Sequence, residues 1–301
     1  MGIFFAIHGY EHIRYFCNTF NRLIWNMKRA AILVIIMFIG FQVYSQRKPK
    51  IRGNKNVVEV REDLPVFNAI QLNDDLEIVL QKSSNEGYAL EADDNLVDVL
   101  KFKVSDSTLE ISSFYNITSK KKLEIIIFYT ELSAITMRNG EISMKDVISG
   151  DRLDVNTYGT SRLELNATAD IININMEEIS SGDFNLASDS LNLTFKDRID
   201  AKVYATGEKN TVYMYKNASA KLEGTSSFLM AKLYGNSTLK AEKLEATKTV
   251  LISEDSPNAN VNVIQDFQLS SRGSSRTNLY GNPKITIIDF LDTSQLDKEN
   301  N

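Results

Sequence analysis

Leu153-Asp154-Val155, Leu165, Ile172-Asn173-Ile174, Leu186, Leu191-Asn192-Leu193 and Val203 decide the fold, because they repeat. Extended along the sequence, one apolar column reads Leu153, Ile172, Leu191, Val212, Leu229, Val250, Phe267, with a mean step of 19 residues. A second reads Leu165, Leu186, Val203, Leu222, Ala241, Val261, Leu279, with the same mean step. Beside the first column, the residue two positions on is again apolar or small: Val155, Ile174, Leu193, Met214, Ala231, Ile252, Leu269. Turn chemistry separates the columns, in Tyr158-Gly159-Thr160-Ser161, Ser180-Ser181-Gly182-Asp183, Tyr234-Gly235-Asn236-Ser237 and Arg272-Gly273-Ser274-Ser275. Short β segments and turns recurring at this period mark a solenoid. Each coil leaves an edge and an inward face exposed, and stacking the next coil satisfies both. Parallel stacking sets equivalent residues about 4.8 Å apart, so inward positions become apolar columns. A β-sandwich with evenly spaced strands is the alternative, and two agreeing columns weigh against it.

Upstream of the repeats the β signal continues without the period. Ala69-Ile70-Gln71-Leu72, Leu76-Glu77-Ile78-Val79-Leu80 and Leu123-Glu124-Ile125-Ile126-Ile127-Phe128 are apolar runs, while Asn95–Leu100 suits either a helical turn or a strand. The block 57–130 is expected to pack on the first coil, and Lys284-Ile285-Thr286-Ile287-Ile288 to close the other end.

Ahead of all this, Met27-Lys28-Arg29, the apolar run Ala30–Phe41 and Val43-Tyr44-Ser45 form the basic, apolar and small-residue order of a signal peptide. Cleavage is expected between Ser45 and Gln46. The apolar run is short for a membrane span, which takes about 20 residues, although an uncleaved anchor is the competing reading. The expected organisation is an over-extended start at 1–26, a signal peptide at 27–45, a linker at 46–56, a solenoid domain at 57–290 and a polar, frayed tail at 291–301. No Cys follows the cleavage point, so the pattern is not that of a lipoprotein.

Removing 1–45 takes away His8, His12, Cys17 and Trp25, and with them every His, Cys and Trp. That segment holds four basic residues and one acidic one. The remainder carries 30 basic and 38 acidic residues, a net charge of −8. Such a protein, without a basic stripe, is a poor candidate for nucleic acid. Having no cysteine, it depends on its core and backbone ladders rather than on disulfides.

The sequence from Val57 to Ile288 resembles the Bacteroidetes-type family of putative auto-transporter adhesins with a head GIN domain. The resemblance is carried, in order, by Phe67-Asn68-Ala69-Ile70, Leu76–Leu80, Asp93-Asp94-Asn95-Leu96, Leu109-Glu110-Ile111, Leu132-Ser133-Ala134-Ile135, Arg138-Asn139-Gly140 and Tyr280-Gly281-Asn282-Pro283-Lys284-Ile285. It implies an all-β, right-handed parallel β-helix that is exported, in the periplasm, on the outer-membrane surface or outside the cell. It implies no established activity. Residues 46–301 show no run of alternating membrane strands of about 10 residues, so no autotransporter barrel is expected within them.

Without His or Cys the usual catalytic bases, nucleophiles and transition-metal ligands are gone. Glu177-Glu178 with Asp183, and Glu254-Asp255, are the carboxylates a polysaccharide-cleaving site would need. They read instead as solvated turn residues. Asp74-Asp75 and Asp93-Asp94 are acidic pairs, but a pair is not a calcium coordination shell, and no metal or cofactor is expected. Sequons at Asn116, Asn166, Asn192, Asn217 and Asn236 are close to chance in so Asn/Ser/Thr-rich a sequence. Tyr158, Tyr234 and Tyr280 each precede Gly; they form either an exposed aromatic strip for a glycan or envelope protein, or covers over their turns. The expected function is therefore an envelope or surface binding module without catalysis. The alternatives are a carboxylate-dependent polysaccharide enzyme and a structural envelope component.

Overall fold

The computed structural model describes residues 48–299, so the expected signal peptide and the Ser45–Gln46 cleavage site lie outside the described residues. Strands stack in parallel into a β-solenoid of about 9 turns at ~19-residue spacing. The regular coils are single long strands bent in the middle, such as Arg162–Met176, Ser181–Phe195 and Asp200–Met214, each followed by a short turn. Alternation explains why they bend inward on both walls. In Arg162–Met176, Leu163, Leu165 and Ala167 point inward before the bend, and Ile172, Ile174 and Met176 after it, all buried. Two walls then share one core.

Backbone pairing fixes the columns and corrects the pattern reading at five positions, two of them in the flanking column, where Val212 stands in place of Met214 and Leu251 in place of Ile252. Leu153, Ile172, Leu191, Asn210, Leu229, Thr249 and Phe267 are successive register partners. Asn210 and Thr249 therefore stand where Val212 and Val250 were expected. Likewise Leu165 pairs with Phe184, not Leu186, and Phe184 with Val203. The register follows the hydrogen-bond ladder, whereas the eye follows hydrophobicity and steps over a polar residue that points inward. Both Asn210 and Thr249 are buried, and neither polar atom of the Asn210 side chain meets a partner in the protein.

The N-terminal block does more than cover the first coil. Ala69–Leu72 and Glu77–Lys82 form a coil, and Thr108–Ser113 with Leu123–Tyr129 form a second stacked outside it. The backbone then returns inward, so that Ala134–Met137 and Glu141–Met144 pair with the 69–82 coil. The excursion between runs antiparallel: Gly87–Asp93 pairs with Leu123–Tyr129 and with Val57–Asp63, and Leu100–Ser105 pairs with Thr108–Ser113. Asp94–Val97 makes a single helical turn. Antiparallel strands thus replace parallel coils at this end of the stack. Two further segments differ from expectation because backbone edges were on offer to them. Within the expected linker, Lys50–Arg52 pairs with Asn116–Ser119, and within the expected tail Gln295–Lys298 pairs with Arg276–Leu279.

Candidate functional site

The turn that follows each inward-facing strand end is built alike from coil to coil. Its second residue adopts a left-handed conformation at Gly159, Glu178, Asp197, Lys216, Gly235, Asp255, Gly273 and Asp292. Backbone bonds tie each turn to the next: Ile179 N–H donates to the Gly159 carbonyl at 3.0 Å, Arg198 to Glu178 at 2.8 Å, and Asn217 to Asp197 at 3.1 Å. Carboxylates cap them, with Glu178 Oε2 accepting the Gly159 N–H at 2.6 Å and Asp292 Oδ2 that of Gly273 at 2.9 Å.

One residue earlier in each turn lies a column that is part-buried from Tyr158 to Glu254 and exposed at its two arginine ends. It follows from the register of Thr157, Met176, Phe195, Met214, Leu233, Ser253 and Ser271, each of which directly precedes one member. The members are Tyr158, Glu177, Lys196, Tyr215, Tyr234, Glu254 and Arg272, with Arg138 beyond Tyr158. Contacts run between neighbours along it. The Arg138 guanidinium sits 5.9 Å from the Tyr158 ring centre. Lys196 Nζ donates to Glu177 Oε1 at 2.7 Å, and that bond raises the lysine pKa from its ordinary value. Tyr215 and Tyr234 stack at 5.2 Å with their planes 7° apart. Arg272 lies 3.9 Å from Glu254. A shallow groove of about 470 Å³ runs alongside, floored by Gly159, Thr160, Glu178, Ile179, Asp197, Arg198, Lys216 and Asn217.

The structure divides the three expected tyrosines. Tyr158 and Tyr234 share this column, while Tyr280 pairs with Asn262 on the other wall. Sequence reasoning does not single out Tyr215, Lys196 or Arg138 for the site. The interval of 19 from Tyr158 through 177, 196, 215 and 234 is the signal that finds Tyr215 and Lys196.

The carboxylates considered for catalysis do not converge. Glu177 is paired with Lys196, and Glu178 caps Gly159. Asp255 Oδ2 accepts the Gly235 N–H at 3.2 Å, and Asp183 lies on the other wall between Glu164 and Lys202. Resolved shifts of Asp154, Asp197 and Glu223 are all downward, led by hydrogen bonds from Arg152, Lys216 and Lys221 respectively. That is the direction of a stabilised anion, opposite to that of a general acid.

The acidic pairs have structural work. Asp93 is fully buried and accepts backbone N–H groups of Lys55 at 3.0 Å and of Lys121 and Lys122 at 3.2 Å. Burial pushes its pKa up, but these three donors outweigh burial and hold it below the usual carboxylate range. Asp94 accepts from the Asn54 and Asn56 side chains, and Asn95 donates to the Arg52 carbonyl at 2.9 Å. Asp74 Oδ2 accepts the Ser113 N–H at 2.8 Å. An acidic column does exist at the bend, where flanking register places Asp151, Asp170, Asp189 and Glu208 on successive coils. Even so, among the described residues no group of three or more His, Cys, Asp or Glu is placed to hold a metal ion. Nor, among them, is any helix long and apolar enough to cross a membrane.

Comparison with known proteins gives one family and a set of related folds. The family described as putative auto-transporter adhesin, head GIN domain, matches residues 66–283. A putative adhesin from Parabacteroides distasonis shares the fold with a TM-score of 0.59 at 14% identity, covering 83% of this protein and 100% of that one. A putative adhesin from Parabacteroides merdae follows at 0.57 and 12%, covering 83% and 99%. A protein from P. distasonis described as a putative lipid binding protein stands at 0.56 and 17%, with the same coverage. No curated protein matches.

Proposed function

The protein belongs to the putative auto-transporter adhesin, head GIN domain family, and from that premise we propose that it is an exported envelope or surface module that binds and does not catalyse. Its partner is an extended one, a glycan or an envelope protein, engaged along the turn edge. The observation that carries this reading is the continuous column from Arg138 to Arg272. Tyr158, Tyr215 and Tyr234 stand in it, part-buried, among charged neighbours. With a ring face of each tyrosine covered by a column neighbour, the rings offer their edges and hydroxyls to a sugar or a partner residue at little entropic cost, while the Glu177–Lys196 pair offers hydrogen bonds of both senses. Repetition along the stack suits a partner that is itself repetitive. The basic, apolar and small-residue order of 27–45 supports export with Gln46 as first residue, and the absence of His and Cys after it supports a non-catalytic role.

Glycan-array binding and envelope pull-downs test the proposal. Replacing Tyr158, Tyr215 and Tyr234 together with Ala weakens capture about tenfold or more, at roughly 0.5–1.5 kcal/mol per aromatic contact, with the β circular dichroism unchanged. Tyr280→Ala, on the other wall, leaves capture intact. Equal capture by the triple variant would sink the proposal, as would polysaccharide turnover abolished by changing Glu177, Glu178 or Asp183.

A further inference from the structure

The two ends of the solenoid are finished differently. At the N-terminal end antiparallel strands of the protein itself extend the outermost parallel coil. At the other end Lys284–Phe290 pairs with Asp266–Ser271 on one side, and among the described residues nothing pairs with its second side. Its Ile285 and Ile287 stack on Phe267 and Leu269, so they continue the core columns to the last coil. Yet Ile285, Ile287, Ile288, Phe290 and Leu291 are 42% to 61% exposed. Five large apolar side chains within seven residues, on an open sheet edge, form a contiguous patch and not the scatter normal on a surface.

We propose that this end is a self-association surface, on which a second copy of this protein lays its own Lys284–Phe290 strand antiparallel across a two-fold axis. The argument for a second copy lies in the charges. The strand carries Lys284 at its start and Asp289 near its end, both on the outer side of the wall: Lys284 is in register with Asp266, and Asp289 accepts from Ser270 Oγ at 3.0 Å. Laid against its own copy in the opposite direction, the strand brings each lysine toward the partner's Asp289. In the register that sets Ile285 against the partner's Ile287, inward residues face inward residues and Thr286 lies on the axis facing its own copy. The free backbone groups, the apolar core end and the charges are then satisfied by one operation. Because the contact is two-fold and uses the same strand of both copies, the assembly stops at two.

The test uses protein purified from cells producing it at full length, sized by light scattering over a range of concentrations. The wild type has twice the monomer mass. Lys284→Asp and Asp289→Lys each halve that mass, and the double variant restores it, because the swapped charges again complement each other across the axis. Ile287→Lys also yields the monomer mass; should that variant not fold, the charge swap still decides. Thr286→Cys forms a covalent dimer on oxidation, and Gln268→Cys, one coil further in, does not. A wild type of monomer mass throughout overturns the proposal. So does a dimer indifferent to Lys284→Asp, a double variant that stays single, or a different protein seated on this end in the purified material.

Discussion

Asn210 shows at the scale of one residue how the core is made and why its reading from sequence stumbles. It is buried between Leu191 and Leu229 of the neighbouring coils, with both side-chain polar atoms unpartnered in the protein. A buried polar group left without a partner costs about 1–3 kcal/mol. Asn210→Leu is therefore expected to raise stability by about 1–2 kcal/mol, seen as a higher denaturant midpoint at unchanged slope. A lower midpoint would mean that the column is too tight for the larger side chain or that the amide has a role in the core. From sequence, Val212 takes this place, because a column of apolar letters is the only visible trace of an inward position. The columns slip by two residues at Asn210 and by one at Thr249, where the inward residue is polar, and by two at Phe184, where a second apolar residue lies close by.

Among elements, the turn is the most uniform unit and the N-terminal staple the most specific. Tyr158 and Tyr234 are found through the Tyr-Gly pair, which marks a reversal of the backbone. Tyr280 carries the same pair at a reversal on the other wall, and Tyr215 is missed because Lys216 takes the left-handed position instead of Gly. The local signature reports that the backbone turns; only register tells which edge it turns on. The staple at Asp93 makes a pH prediction. Its folded pKa is depressed, so its contribution to stability is fully present above the unfolded carboxylate value of about 3.9 and is lost as pH falls through the folded value. Below about pH 4, proteolysis and amide exchange are expected to rise first at Lys55, Lys121 and Lys122, whose N–H groups it holds. Asp93→Asn is expected to show that looseness already at neutral pH, with no further acid step at this site. Exchange that rises evenly over the whole molecule with acid would contradict this.

For the molecule as a whole, equal spacing is legible and stacking order is not. The return from the 108–129 coil to pair again with the 69–82 coil is set by contacts between distant segments, and no period announces it. Where the period holds, coils are interchangeable. Removing Val212–Met230 joins Thr211 to Ala231, which is the register partner of Val212. The product is expected to be a shorter folded solenoid, losing stability only in proportion to one coil and its interfaces. Removing half that length puts polar turn residues into the core and is expected to abolish folding. Circular dichroism and cooperative melting of the two deletions check the pair, and equal tolerance of both would contradict the shared register.

The same register has a mechanical consequence. Hydrogen bonds between coils lie along the axis of the stack, and successive coils are held by nearly the same set of them. A pull on the C-terminus therefore meets one ladder at a time, beginning at the last coil, instead of loading the whole molecule at once. Each coil that lets go frees about 19 residues, roughly 65 Å of slack, and leaves the next coil in the position the last one held. Force–extension traces should show evenly spaced teeth of similar height. A tether built this way meets a sudden tug with a series of small yields and keeps its far end attached.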